Sequence, residues 1–527
     1  MLTWDLSSRA GADTEAVVAE HADIKAHDDR PELADIARMG RRLMRRAVTA
    51  ARAEDGPVPR LLREHLGSGA AALPVVRGSW RGYDHVNLQA GLDAWLARRG
   101  REHELVGLTG FRDASFGLAD LTRPGPRSAG LGTGSVAMAA LPCGPAGRTR
   151  ACVQCGLYLV ADGRTRLAVL LRGPGDAGPD AEAALEVACT DQAAAQRVVE
   201  EVGQEAVARN VFRGQVISFG DGMSGHDQDG SGGLLRFLDP PQVDRDEVIL
   251  PAAVLNGIER QALGVARHAE QLRAGGQHLK RGVLLHGAPG TGKTHTVRYL
   301  LGRRPDVTAV VLCGYALRWI AEACSVARVL QPSVVVVEDV EEIAEERWPR
   351  SGQHPLLFQL LNEMDALDGD ADVTFLLTTS RPDLLEAALA ARPGLVDHAA
   401  ELPVPDAEAR RRLVALYQGR LVLDLSDPDM VIKRTDGVTA AFLRELLRRA
   451  ALLAAEAAPG ADGSSGGGAD GGRPGAPLRV TDAHLAAALD ELLDARSRLT
   501  RTLLGGRGQD AVIRPMGADA VIRRPRR

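Results

Sequence analysis

Lysine is almost missing: of the 64 basic residues in this 527-residue chain only Lys25, Lys280, Lys293 and Lys433 are lysine. With alanine and glycine abundant, the arginine excess reads as coding bias, and it draws attention to wherever a lysine does stand. Cysteine is scarce as well, six in all, which excludes a disulfide framework. Cys143, Cys152 and Cys155 form the one cluster; a closed zinc site takes four ligands, often in two pairs, and no second pair is near, so they read as structural thiols. No run approaches the ~20 apolar residues of a membrane-crossing helix. Met1 to Glu20 carries acidic residues and no apolar stretch of a signal peptide, so a cytoplasmic protein without a membrane partner is expected. A basic excess is lacking too: the net charge is −5, which argues against nucleic acid as partner.

What is present is an ordinary globular composition over a length that predicts two or three domains. Residues 1–30 are polar and weakly patterned, an expected flexible arm. Leu33, Ile36, Met39, Leu43 and Ala47 recur at helical spacing, and so do Leu88, Leu92 and Leu96. Strand-like runs at Glu104 to Leu108, Arg150 to Val160, Arg166 to Arg172 and Gln215 to Phe219, with a helical stretch from Asp191 to Ala208, suggest an α+β domain over 31–219. Residues 220–233 hold six glycines and read as a linker. A core over 234–405 and a helical region over 406–504 follow, the latter interrupted by a low-complexity insertion at 459–477. Residues 505–527 are a Gly/Arg-rich tail that repeats Asp-Ala-Val-Ile-Arg and reads as solvated.

The chemistry-bearing signal lies at Gly287, Ala288, Pro289, Gly290, Thr291, Gly292, Lys293 and Thr294. Arg281 to His286 is a short apolar strand that leads into it, and a helix follows. Glycines let backbone N–H groups turn inward around phosphate oxygens. Lys293 is placed to reach the β and γ phosphates of ATP, and Thr294 to ligate Mg²⁺, with the helix N-terminus aimed at the same anion. Downstream, Ser-Val-Val-Val-Val from Ser333 reads as a parallel strand buried on both faces, ending in Glu338 and Asp339.

Together with Leu360 to Asp365, Thr379 to Asp383, Arg392 to His398 and Asp436 to Leu446, this order of motifs resembles the AAA family of ATPases over about 246–495. The resemblance implies a P-loop α/β domain with a parallel sheet and a C-terminal helical lid. It also implies a homo-hexameric ring that couples ATP hydrolysis to remodelling of a protein partner, here of unknown identity.

The departures from the family are specific. Its second motif ends Asp-Glu, the Asp near Mg²⁺ and the Glu polarising the attacking water. This chain has the reverse, so Glu338 is the expected metal-side carboxylate and Asp339 the shorter water-side one. Glu341 falls on a position usually acidic in the family, and Glu342 is expected in solvent. Ser380 stands at the family's sensor asparagine. The Gly-Arg-Phe-Asp-Arg finger segment is Gly394 to His398, without arginine at 395 or 398; Arg392 lies just upstream. Tyr315 and Trp319, four residues apart, read either as core or as pore-lining aromatics. Arg444, after an expected N-cap at Thr439, is either near the γ-phosphate or a solvated helix residue.

Two functions follow. One is a slow Mg-dependent ATPase that remodels a protein, with Asp339, Glu338 and Ser380 as catalytic residues. The other is a nucleotide-dependent scaffold that binds ATP with little turnover.

Overall fold

A computed structural model describes residues 56–110, 117–123, 131–174, 181–220, 235–345, 355–390, 392–457 and 477–493. The arm, the Leu33-to-Ala47 helix, nearly all of 220–233 and of the 459–477 insertion, and the C-terminal tail lie outside them.

Two seven-stranded sheets organise the described residues. The first contains β1 (Val75–Arg81), β2 (Arg101–Thr109), β3 (Gly132–Gly134), β4 (Ala137–Pro142), β5 (Thr149–Asp162), β6 (Thr165–Arg172) and β7 (Glu182–Ala188). Its order is β1-β7-β6-β5-β2-β3, with β4 on β5, and every pairing is antiparallel. Alternate residues of β6 face opposite sides: Leu167, Val169 and Leu171 pack with helices His85–Leu96 and Gln192–Ala208, while Ala168 and Leu170 pack with Pro57–Leu66 and Leu118–Thr122. Asp191 caps the second of these helices by accepting from Ala193 N–H at 2.9 Å.

The second sheet contains β8 (Val216–Phe219), β9 (Leu235–Leu238), β10 (Arg281–His286), β11 (Thr308–Leu312), β12 (Ser333–Val337), β13 (Val373–Thr379) and β14 (His398–Glu401). Its order is β14-β10-β13-β12-β11-β8-β9, parallel except for the antiparallel β8–β9 pair. The four valines of β12 divide between two cores, Val335 and Val337 on one face and Val334 and Val336 on the other. That is why the strand reads as a continuous apolar run. Beyond β14, helices Ala407–Gln418, Pro428–Arg434, Ala440–Glu456 and Asp482–Leu493 bury Phe442, Leu446 and Leu489 in a core of their own. A short pair joins β15 (Val422–Asp424) to β16 (Arg479–Thr481).

One boundary differs from the sequence expectation. Val216–Phe219, grouped with 31–219 on composition, is a strand of the second sheet, where Val310 pairs with Ile217. The glycine-rich run expected to link two domains instead connects β8 to β9, which pair Val216 with Leu238 and Phe219 with Leu235. The crossing between the two sheets therefore falls ahead of Val216, and it is packed. Phe212, Ile217 and Phe219 share a core with Val86 and Cys152 of the first unit. Asn87 Oδ1 accepts from Val211 N–H at 2.9 Å. Among the described residues no helix is long and apolar enough to cross a membrane.

Candidate functional site

The parallel order places the ends of β10, β12 and β13 side by side, and the sequence just beyond each end forms one cavity of about 360 Å³. The loop after β10 closes on itself because glycine occupies its tight points. Gly287 has φ 151°, and a Cβ there would lie 2.4 Å from Leu402 O. Gly290 has φ 81°, and a Cβ there would meet Ala441 Cβ at 2.8 Å. The lid helix Ala440–Glu456 is bonded to this loop, Ala441 N–H donating to Gly290 O at 3.1 Å. Thr439 takes the N-cap position, as its place in the sequence implied. Thr291 is spent inside the loop, its Oγ1 donating to Ala288 O at 2.9 Å.

Lys293 opens helix Lys293–Gly302 and is only 7% exposed. Its Nζ donates to Gly287 O at 2.9 Å, Ala288 O at 3.3 Å and Ser380 Oγ at 2.8 Å. Burial pulls its pKa down, opposed by the charges of Glu341 and then Asp339. Ser380, at the end of β13, therefore touches the cation directly in spite of its short side chain.

The carboxylates after β12 separate. Glu338 faces the Thr294 hydroxyl, which favours its charged form; burial, then the charge of Asp339, outweighs this and pushes its pKa up. Asp339 lines the cavity together with Lys293 and Ser380. Its pKa is also raised, by burial first and Glu341 second, with Lys293 acting against both. Glu342 is exposed, as expected from the sequence. Glu341 is not a bystander: its Oε1 accepts from Ser380 N–H at 2.9 Å.

A hydroxyl and a carboxylate facing one another are hard oxygen donors of the kind magnesium takes, usually one or two from protein with the rest from phosphate and water. Thr294 and Glu338 fit that requirement, and the glycine cradle beside Lys293 fits a phosphate chain.

Arg444 also lines the cavity, from the lid, with its guanidinium 5.9 Å from the Tyr417 ring centroid. The side chain is exposed as well as facing the loop, so both placements left open by sequence describe it in part. His295 and Tyr417, not singled out by sequence, complete the wall. They carry no motif, and Tyr417 arrives only through the fold of the lid.

One residue of the finger segment is turned inward, while Asp397 is exposed and His398 half-buried. Leu395 is 4% exposed in the core, and Asp397 Oδ2 accepts from Gly282 N–H at 2.8 Å. Arg392 pairs with Asp365 at 3.0 Å. The two aromatics after β11 divide: Trp319 is 7% exposed and stacks on Phe219, whereas Tyr315 is 55% exposed and lies under Arg318.

Against known families, residues 283–404 match the ATPase family associated with various cellular activities (AAA). The chain carries an AAA ATPase domain. The chain is 32% identical over 194 residues to the ATP-dependent zinc metalloprotease FtsH of Thermus thermophilus, covering 34% of this chain and 31% of that one. It is 30% identical over 233 residues to the human ATPase family gene 2 protein homolog A, covering 42% and 26%. To the proteasome-activating nucleotidase of Methanocella arvoryzae it is 28% identical over 235 residues, covering 42% and 56%. The chain thus spans under two thirds of the length of each of these relatives.

Proposed function

We propose that the cavity between the glycine loop and the lid binds Mg-ATP and hydrolyses it slowly, and that this cycle acts on a protein partner. The observation that carries the reading is the Lys293 ammonium, buried at the floor of a glycine-rich cradle and hydrogen bonded to Ser380. Lys293 would neutralise phosphate charge, and Arg444 would add a second cation from the same chain. Thr294 and Glu338 would hold magnesium, whose charge would draw electrons from the phosphate oxygens when bound.

Asp339 is the carboxylate suited to orient water for attack on the terminal phosphorus, which releases ADP and phosphate. It is one methylene shorter than the glutamate usual there, and a misplacement of about 1 Å can cost ~100-fold in rate. Slow turnover follows from that shortening together with the missing arginine fingers, each of which can contribute ~10³ to 10⁵ in related hydrolases.

A second reading, an ATP-binding scaffold with little turnover, is favoured by the burial of Leu395, which leaves no room for a cation at that position. A homo-hexamer would follow from the family likeness, and the chain's own segment for completing a neighbour's site lacks its arginines. Single-turnover ATP hydrolysis by the full chain separates the readings. Conversion of bound ATP to ADP that disappears in Asp339→Asn supports the hydrolase, and no conversion in the wild type supports the scaffold.

A further inference from the structure

Glu341 opens the short helix Glu341–Glu345, three residues beyond Glu338. Between them Asp339 has φ 53°, the left-handed region that a residue with a Cβ enters at a cost. Two bonds to β13 hold this turn: Asp339 N–H donates to Thr378 Oγ1 at 3.0 Å and Val340 N–H to Thr378 O at 2.9 Å. The turn brings Glu341 back beneath the cavity. Its Oε1 accepts from Ser380 N–H at 2.9 Å, while its Oε2 is buried with no hydrogen-bond partner. Ser380 in turn accepts from Lys293 Nζ through its hydroxyl, at 2.8 Å. One serine is thus held from behind by a carboxylate and touches the cation in front. Glu341 is also the carboxylate acting most strongly on the Lys293 charge, ahead of Asp339.

A backbone clip alone does not need a charge. Leaving a carboxylate oxygen buried without a partner costs stability, and a neutral acceptor would hold the Ser380 N–H at less expense. Strain at Asp339, on the cavity wall, and an orphaned oxygen at Glu341, bonded to Ser380 of that wall, mark a place shaped by something other than stability. We propose that Glu341 is a positioning residue of the phosphate site, which fixes Ser380 against Lys293 and serves as the buried counter-charge to Lys293 until an anionic ligand arrives. The inference rests on the nucleotide reading above.

Glu341→Gln separates charge from clip, because the amide keeps a carbonyl for Ser380 N–H but loses the negative charge. ATP and ADP binding to the full chain would be measured by calorimetry with magnesium, for wild type, Glu341→Gln, Glu341→Ala and Lys293→Ala. With the charge gone from the terminal-phosphate end, Glu341→Gln should tighten ATP threefold or more and change ADP less than twofold. Glu341→Ala loses the clip as well and should bind ATP more weakly than Glu341→Gln. An unchanged ATP-to-ADP ratio in Glu341→Gln, with Lys293→Ala still impaired, overturns this inference alone. No saturable ATP binding by the wild type overturns the nucleotide reading and this inference with it.

Discussion

Phe219 stacks on Trp319 with ring centroids 6.0 Å apart and planes inclined by 22°, and Tyr83 meets Phe219 edge-on at 5.5 Å. Three rings from far-apart parts of the chain therefore join the first unit, the hairpin strand β8 and the segment that leaves the nucleotide sheet after β11. Aromatic pairs of this kind contribute about 0.5–1.5 kcal/mol each beyond their buried area.

A cut between Gly220 and Leu235 should accordingly not separate the protein. With a protease site inserted there, the two pieces should stay together through size-exclusion chromatography, held by β8 on β11 and by the shared core. Elution as two independent species would contradict the shared sheet.

Asp339→Asn keeps the shape of the side chain and removes its charge from the cavity. Turnover should fall at least ~100-fold, as for loss of a positioned general base, with ATP still bound. Glu342→Gln, on an exposed side chain, should stay within twofold. Comparable single-turnover rates for Asp339→Asn and wild type would move the water-orienting role elsewhere.

Leu395→Arg tests the finger segment. The leucine is 4% exposed, so an arginine there must bury a charge or force the segment out. We expect a loss of about 2 kcal/mol or more and a fall in Tm of about 5 °C, read by thermal denaturation, without a gain in turnover. A faster, equally stable variant would mean that the segment can face a neighbouring subunit.

Arg444→Ala removes the lid's cation from the cavity while Tyr417 remains. ATP affinity should fall roughly tenfold, about 1.4 kcal/mol, with the melting temperature nearly unchanged. Wild-type affinity in this variant would return Arg444 to a solvated role.

Much of the nucleotide sheet was legible because its signals are local. The glycine loop, the four-valine strand and the carboxylates that follow depend on near neighbours in sequence. The strand β8 was visible as a strand, yet its sheet was not. Its partner Thr308–Leu312 lies some ninety residues downstream, and composition does not say which edge a short strand joins. Glycine content likewise marks a chain that need not bury a core, without distinguishing a domain linker from a connection within a hairpin. Strand β7, Glu-Ala-Ala-Leu-Glu-Val-Ala, consists largely of good helix formers and is a strand only through its tertiary partners β1 and β6. Glu341 could be aligned with an acidic position, but its grip on Ser380 depends on the left-handed turn at Asp339, which no residue type in the segment announces.

Everything proposed for this site depends on ATP binding in the Lys293 cradle. Calorimetric titration of the full chain with ATP and magnesium tests it most directly. Saturable binding by the wild type, with Lys293→Ala weaker by tenfold or more (about 1.4 kcal/mol), is the result expected when the buried ammonium facing the phosphates is removed. Equal affinity in the two proteins would show that the Lys293 cradle is not the phosphate site.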